Sequence, residues 1–228
     1  MKSVLLTRST EGNKETIEEI ARYNINNLKF NYIHCPLIEY KNLNFTSKIL
    51  NDYSNIIITS KYAAHILKEQ SKDSNYNVWV VGESSKIILE SSGFIVKYVA
   101  KNVGDLIEYF PPDLYNQAIY LSSNEITHDL PSQIKRKIIY KVKYLNKLSP
   151  SFDCIDYVLL YSQNSAKTLL NLLRQNNLLE SLQNSLFITI SLKVANIIRP
   201  FFKNVVYCDD ENPYKIINLL IRNAESQN

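Results

Sequence analysis

Ile56-Ile-Ile-Thr-Ser-Lys-Tyr-Ala-Ala-His-Ile-Leu67 opens as an apolar run of strand length, passes through two hydroxyl residues, and continues with apolar residues at helical spacing. The three isoleucines suit a pleated, buried surface. Ser60 stands where the first free N–H groups of a helix need an acceptor. The segment therefore reads as strand, turn and helix. Val158-Leu-Leu-Tyr-Ser-Gln-Asn-Ser-Ala-Lys-Thr-Leu169 has the same reading 102 positions later. The match resumes at an offset of 109, pairing Gly82 with Ser191, Val96 with Val205, Tyr98 with Tyr207 and Ile107 with Ile216, so seven extra residues around Gln175 to Leu182 separate the two registers. A register kept over three successive strand and helix units marks an internal duplication.

Outward from these two copies, short apolar runs recur at Val4 to Thr7, Phe30 to Leu37, Val78 to Val81, Ile95 to Val99, Ala118 to Leu121, Ile138 to Tyr144, Phe187 to Ile190 and Val205 to Cys208. Runs that are continuously apolar, with amphipathic helices between them, belong to parallel sheets covered on both faces. Ser60, Ser84, Ser162 and Ser191 place helix starts just beyond strands. Each such turn lies at the carboxyl edge of a sheet, where open α/β sheets take their ligands. The expected fold is two similar doubly wound parallel-sheet α/β lobes of flavodoxin-like type. The first unit, Val4 to Tyr23, precedes both copies, and the second copy needs a first strand. Residues 1–36 with 148–228 then form one lobe, and 38–145 form a second lobe inserted into it. Extended segments around Ile33 to Tyr40 and Ile139 to Leu148 become a two-strand connector, and the cleft between lobes becomes the expected site.

Composition excludes several classes. With 45% hydrophobic and 21% charged residues among 228, the chain is globular and not disordered. The net charge of +4 is mild. Basic residues gather only in Lys135, Arg136, Lys137, Lys141, Lys143 and Lys147, which read first as a solvated face, then as attraction for substrate carboxylates, and last as phosphate binding. No nucleic-acid partner is expected. Neither G-x-G-x-x-G nor G-x-x-x-x-G-K-[ST] occurs, and 4 glycines are too few and dispersed for a nucleotide loop. Cys35, Cys154 and Cys208 are widely spaced and are expected as buried thiols, and His34, His65 and His128 lack ligand spacing. No metal or cofactor is expected. The N-terminal MKSVLLTRS is too short an apolar run for a secretory signal, and no stretch approaches a membrane span, so a cytoplasmic protein is expected.

The motifs Val4-Leu-Leu-Thr-Arg8, Ile57-Ile-Thr-Ser60, Val80-Val-Gly82 with Ser84 and Ser85, Tyr120-Leu-Ser-Ser123, Ile138-Ile-Tyr140, Leu160-Tyr-Ser162 and Ile188-Thr-Ile-Ser191 with Ala195 follow one another along nearly the whole chain. In that order and spacing the sequence resembles the uroporphyrinogen-III synthase family. It departs from the family pattern at Ser191 and near Ser123, where glycine is usual, and at Lys193 and Val194, where hydroxyl residues are common. Glycine allows a backbone approach that a side chain narrows.

The resemblance implies a cofactor-free lyase, monomeric, whose substrate is hydroxymethylbilane, an open polycarboxylate tetrapyrrole. Ring closure with inversion of the last pyrrole gives the III isomer, and the enzyme's task is chiefly to fold the chain. Carboxylates call for helix N-termini and hydrogen-bond donors. Arg8, Ser60, Lys61, Gly82, Ser84, Ser85, Ser122, Ser123, Asn124, Ser162, Gln163 and Lys193 are the candidate substrate-binding residues. Tyr140 matches the family's connector tyrosine, a neutral phenol able to protonate a departing hydroxyl. Two other readings use the same fold: a binding module for an anionic small molecule without catalysis, and an interaction domain that has lost activity.

Overall fold

The computed structural model describes residues 1–23, 28–71, 75–148, 152, 154–209 and 213–226. The chain divides into two compact units, Met1–Glu39 with Lys143–Asn228, and Tyr40–Val142. The chain passes from one unit to the other inside two strands, β3 (Ile38–Asn42) and β8 (Lys135–Tyr144).

In the first unit, β1 (Lys2–Leu6), β2 (Phe30–His34), β9 (Tyr157–Leu160), β10 (Leu186–Thr189) and β11 (Val205–Tyr207) form a sheet of order β11-β10-β9-β1-β2. Every pairing in it is parallel. Its strands alternate between two buried faces, as period-2 geometry requires. Val4, Leu6, Tyr157 and Leu159 face α1 (Thr10–Tyr23) and α7 (Pro213–Glu225), and Leu5, Val158 and Leu160 face α5 (Gln163–Gln175) and α6 (Leu192–Ile198). A sheet buried on both faces explains why these strands read as unbroken apolar runs.

In the second unit, β3, β8, β7 (Ala118–Ser123), β4 (Asn55–Ile58), β5 (Asn77–Val81) and β6 (Ile95–Ala100) lie side by side in that order. The pairings from β8 to β6 are parallel. Ile56, Ile58, Ile119 and Leu121 pack under α2 (Lys61–Gln70) and α3 (Glu83–Glu90). Ile57, Ala118 and Tyr120 pack on the other face with Leu106 and Phe110, at α4 (Val103–Tyr109). The two sheets share one spatial pattern, with chain order 2-1-3-4-5 in the first and the cyclic permutation 5-4-1-2-3 in the second once β3 is set aside. The duplicated register persists in the elements: α2 and α5 begin at Lys61 and Gln163, 102 residues apart, and α3 and α6 begin at Glu83 and Leu192, 109 apart.

Four details differ from the sequence expectation, each for a local reason. β2 ends at His34, short of Leu37, because Pro36 has no N–H for a ladder. The next extended segment is a separate strand, β3. β8 begins at Lys135, because the backbone of Lys135, Arg136 and Lys137 pairs with Ile119 to Leu121 although their side chains are charged and exposed or half-buried. α3 starts at Glu83 with Gly82 as its N-cap, and Ser84 is its second residue. Gly82 takes φ 85, a left-handed conformation open to glycine. Finally, Cys154 is exposed, carried by a positive-φ turn ahead of β9, while Cys35 and Cys208 are buried.

Candidate functional site

Strand order fixes where each sheet opens. In the first unit the chain runs outward from β1 to β2 on one side and from β9 through β10 to β11 on the other, so the order reverses between β1 and β9. In the second it runs from β4 through β5 to β6 on one side, with β7 and β8 on the other, and reverses between β4 and β7. Crossovers diverge at such points and leave a crevice at the carboxyl edge.

At the first reversal, Thr7 Oγ1 donates to Leu159 O at 2.5 Å and ties β1 to β9. Arg8 follows directly, and its groups are held within its own lobe. Its backbone N–H donates to Asn13 Oδ1 at 2.9 Å, and Nη1 to Gly12 O at 3.0 Å and Thr16 Oγ1 at 3.3 Å. Nη2 lies 3.5 Å from Glu15 Oε2, and the guanidinium sits 5.0 Å from the centre of the Tyr161 ring. Burial pushes the Tyr161 phenol up to about 12. Arg8 thus anchors the start of α1. Across the reversal, Ser162 Oγ caps α5, accepting from Ser165 N at 3.0 Å and donating to Ser165 Oγ at 2.9 Å. Gln163 is exposed beside it. Lys193, also exposed, lies one strand over in α6, whose N-cap Ser191 makes no side-chain capping bond.

The second reversal gathers more of the expected residues. Ser60 caps α2, accepting from Ala63 N at 3.1 Å, and its hydroxyl shares a 2.9 Å hydrogen bond with the Tyr140 hydroxyl. Tyr140 is 5% exposed. Its direction follows from an irregularity in β8: Ser122 pairs with Ile138 but Ser123 pairs with Tyr140, so one residue is inserted. The insertion places Ile139 and Tyr140 together in the core under α2, where strict alternation would have separated them. The Tyr140 ring meets Tyr62 and Tyr40 edge-on at 4.8 and 5.7 Å between centres. Lys61 is exposed at the first turn of α2.

Ser122 and Ser123 are buried and turned to the protein, Ser122 Oγ donating to Ser123 O and Ser123 Oγ to Glu125 O. Asn124 extends the ladder where the backbone of β7 leaves it: its N–H donates to Tyr140 O at 3.1 Å, and its Oδ1 accepts from Val142 N at 2.7 Å. One strand over, Gly82, Ser84 and Ser85 form the β5 to α3 turn. Ser85 Oγ bonds Val81 O at 3.1 Å, Ser84 is exposed, and nothing lies within 4 Å of where a Gly82 side chain would begin. Ser60, Tyr140, Ser122, Ser123 and Asn124 are therefore contiguous, and the Gly82 turn is their neighbour.

The sequence reading gave Thr59 and Tyr120 no site role at this edge, and took Arg136 only as one of a basic run read first as a solvated face. Thr59 Oγ1 and the Tyr120 hydroxyl share a 2.7 Å hydrogen bond, with burial raising the Tyr120 phenol above its usual value. Arg136 donates through Nε to Ser122 Oγ at 2.9 Å and through Nη2 to Ser123 O at 2.7 Å and Asn124 O at 3.3 Å. An arginine among lysines, two residues before Ile138 on a strand paired to the Ser122 turn, was the available signal. Among the described residues no group of three or more His, Cys, Asp or Glu side chains is placed to hold a metal, and no helix is long and apolar enough to cross a membrane.

Fold and edge together define a two-unit, doubly wound α/β protein with hydroxyl-lined turns at its strand-order reversals. The family model described as uroporphyrinogen-III synthase HemD matches residues 18–211. The chain belongs to the uroporphyrinogen-III synthase family. It is 50% identical over 276 aligned positions to the Rickettsia prowazekii protein named "Uncharacterized protein RP474", covering 99% of this chain and 100% of that one. Among solved structures it is similar to the uroporphyrinogen-III synthetase of Helicobacter pylori, with TM-score 0.60 at 16% identity, covering 97% of this chain and 98% of that one. It is also similar to a mutant uroporphyrinogen III synthase of Thermus thermophilus, with TM-score 0.58 at 11% identity, covering 100% of both chains. These likenesses show that the fold is that of the family.

Proposed function

We propose that this chain is a cofactor-free lyase that closes hydroxymethylbilane to uroporphyrinogen III, with loss of water and inversion of the last pyrrole ring, in haem and tetrapyrrole biosynthesis. The observation that carries the reading is the family match across residues 18–211. The Ser60 to Tyr140 pair at a strand-order reversal supports it chemically. Loss of the terminal hydroxyl leaves an electrophilic azafulvene. Attack through the substituted carbon of the last pyrrole forms a spiro intermediate, which fragments and recloses in the inverted sense.

In this reading the Tyr140 phenol hydrogen-bonds the departing hydroxyl and gives it a proton, so that the leaving group is water, and the proton released from a pyrrole α carbon on ring closure restores the phenol. Ser60 holds the phenol in direction. Backbone N–H groups at the turns of Ser60 and Lys61, of Ser162 and Gln163, and of Gly82 to Ser85 receive carboxylates, the last through Ser84 because the Gly82 and Ser85 N–H groups already donate to Ala100 O and Gly82 O, with Lys61 and Lys193 adding charge. Arg8, Ser122, Ser123 and Asn124 complete the proposed binding set. Their side chains are tied to the protein, so their part is to hold the turns in shape. The enzyme acts as a cytoplasmic monomer. A bacterium lacking its own synthase tests the proposal in vivo. Soluble expression of this chain should restore growth without added haem, and soluble expression without rescue would contradict it.

A further inference from the structure

The Ser122 to Asn124 turn is held by a guanidinium that forms no ion pair with a described acidic residue. Arg136 is half-buried on β8, opposite Tyr120 and beside the strand-order reversal. All three of its hydrogen bonds go to neutral oxygens, those of Ser122 Oγ, Ser123 O and Asn124 O. No carboxylate of the described residues comes within 4 Å of it, which is equally true of Arg174, Arg199 and Arg222, but those three belong to helices or a helix end while Arg136 reaches the carboxyl edge of a sheet. Nη1 donates to no described protein acceptor.

We infer that Arg136 is a substrate-binding residue that receives a carboxylate of an anionic tetrapyrrole while its other two nitrogens lock the turn. The inference rests on the synthase reading above. Three physical points carry it. A charge partly withdrawn from water attracts an anion more strongly than one in bulk solvent. The planar fork, already fixed by three bonds, loses little further freedom on binding. A polycarboxylate supplies the anionic partner that the described residues around Arg136 do not.

Arg136→Gln keeps an amide donor and removes the charge, and Arg136→Lys keeps the charge and removes the fork. KM for hydroxymethylbilane, the dissociation constant for uroporphyrin III as an octacarboxylate probe, and the melting temperature are measured for each. One charge-assisted bond corresponds to roughly a tenfold to hundredfold change in affinity. Arg136→Gln should therefore raise KM by about that factor, with a smaller effect on kcat, and Arg136→Lys should recover most of the loss whatever its melting temperature. Variants whose KM values equal wild type, or follow melting temperature and not charge, overturn the inference. A wild-type protein without turnover would sink the synthase reading separately. Arg136 is then judged on uroporphyrin: weaker binding in Arg136→Gln, restored in Arg136→Lys, upholds it, and equal binding overturns it. A wild type that neither turns over nor binds uroporphyrin overturns both.

Discussion

Tyr140→Phe removes one oxygen and leaves the ring contacts with Tyr40 and Tyr62 in place. The lost group is one end of the 2.9 Å bond to Ser60, and a hydrogen bond of this kind contributes about 0.5–1.5 kcal/mol net. Ser60 keeps its bond from Ala63 N, so α2 stays capped and the stability loss is about 1 kcal/mol. Ser60→Ala removes the cap as well, which adds about 1 kcal/mol. Urea denaturation of both single variants and the double variant should give a coupling energy of about 1 kcal/mol. Turnover separates the two residues. A general acid is worth about a hundredfold or more, roughly 2.7 kcal/mol of barrier, so Tyr140→Phe should lose at least that in kcat. Ser60→Ala, which retains the phenol, should lose about tenfold. A Tyr140→Phe enzyme within about threefold of wild type in kcat would remove Tyr140 from the chemistry. A coupling near zero would refute the bond itself.

Gly12→Ala places a Cβ 2.9 Å from both Arg8 Cβ and Arg8 Nε, so Arg8 must leave Gly12 O and Thr16. Overpacking of this kind costs about 1–3 kcal/mol, and an unchanged urea midpoint would contradict the anchoring role given to Arg8. Burial pushes the Cys35 thiol from 9.0 up to about 12. The folded form stays protonated while the unfolded chain ionises, so this contribution is intact below pH 9 and is lost progressively as pH rises toward 12. The stability advantage of wild type over Cys35→Ala should therefore shrink by about 1.4 kcal/mol between pH 8 and 10, and parallel pH profiles would refute the burial of the thiol.

The fold was readable because burial on both sheet faces turns each strand into an unbroken apolar run, as in Ile56 to Ile58 and Val158 to Leu160. The duplication was readable because both copies kept their turn chemistry at Ser60 and Ser162. Tertiary effects hid the rest. The residue inserted in β8 that carries Tyr140 into the core depends on how β7 pairs, which no local pattern encodes. Arg136 was submerged in a basic run, because only the paired strand reveals that it reaches Ser122 and its neighbours while the lysines around it do not. Cys154 shares its residue type with two buried cysteines, and its exposure follows from a positive-φ turn.

The most direct measurement supplies hydroxymethylbilane to the purified chain and separates the oxidised products by isomer. Spontaneous closure gives the uninverted type I ring. The synthase account predicts type III as the main product, formed faster than closure without protein. Type I alone, at the rate seen without protein, would contradict it.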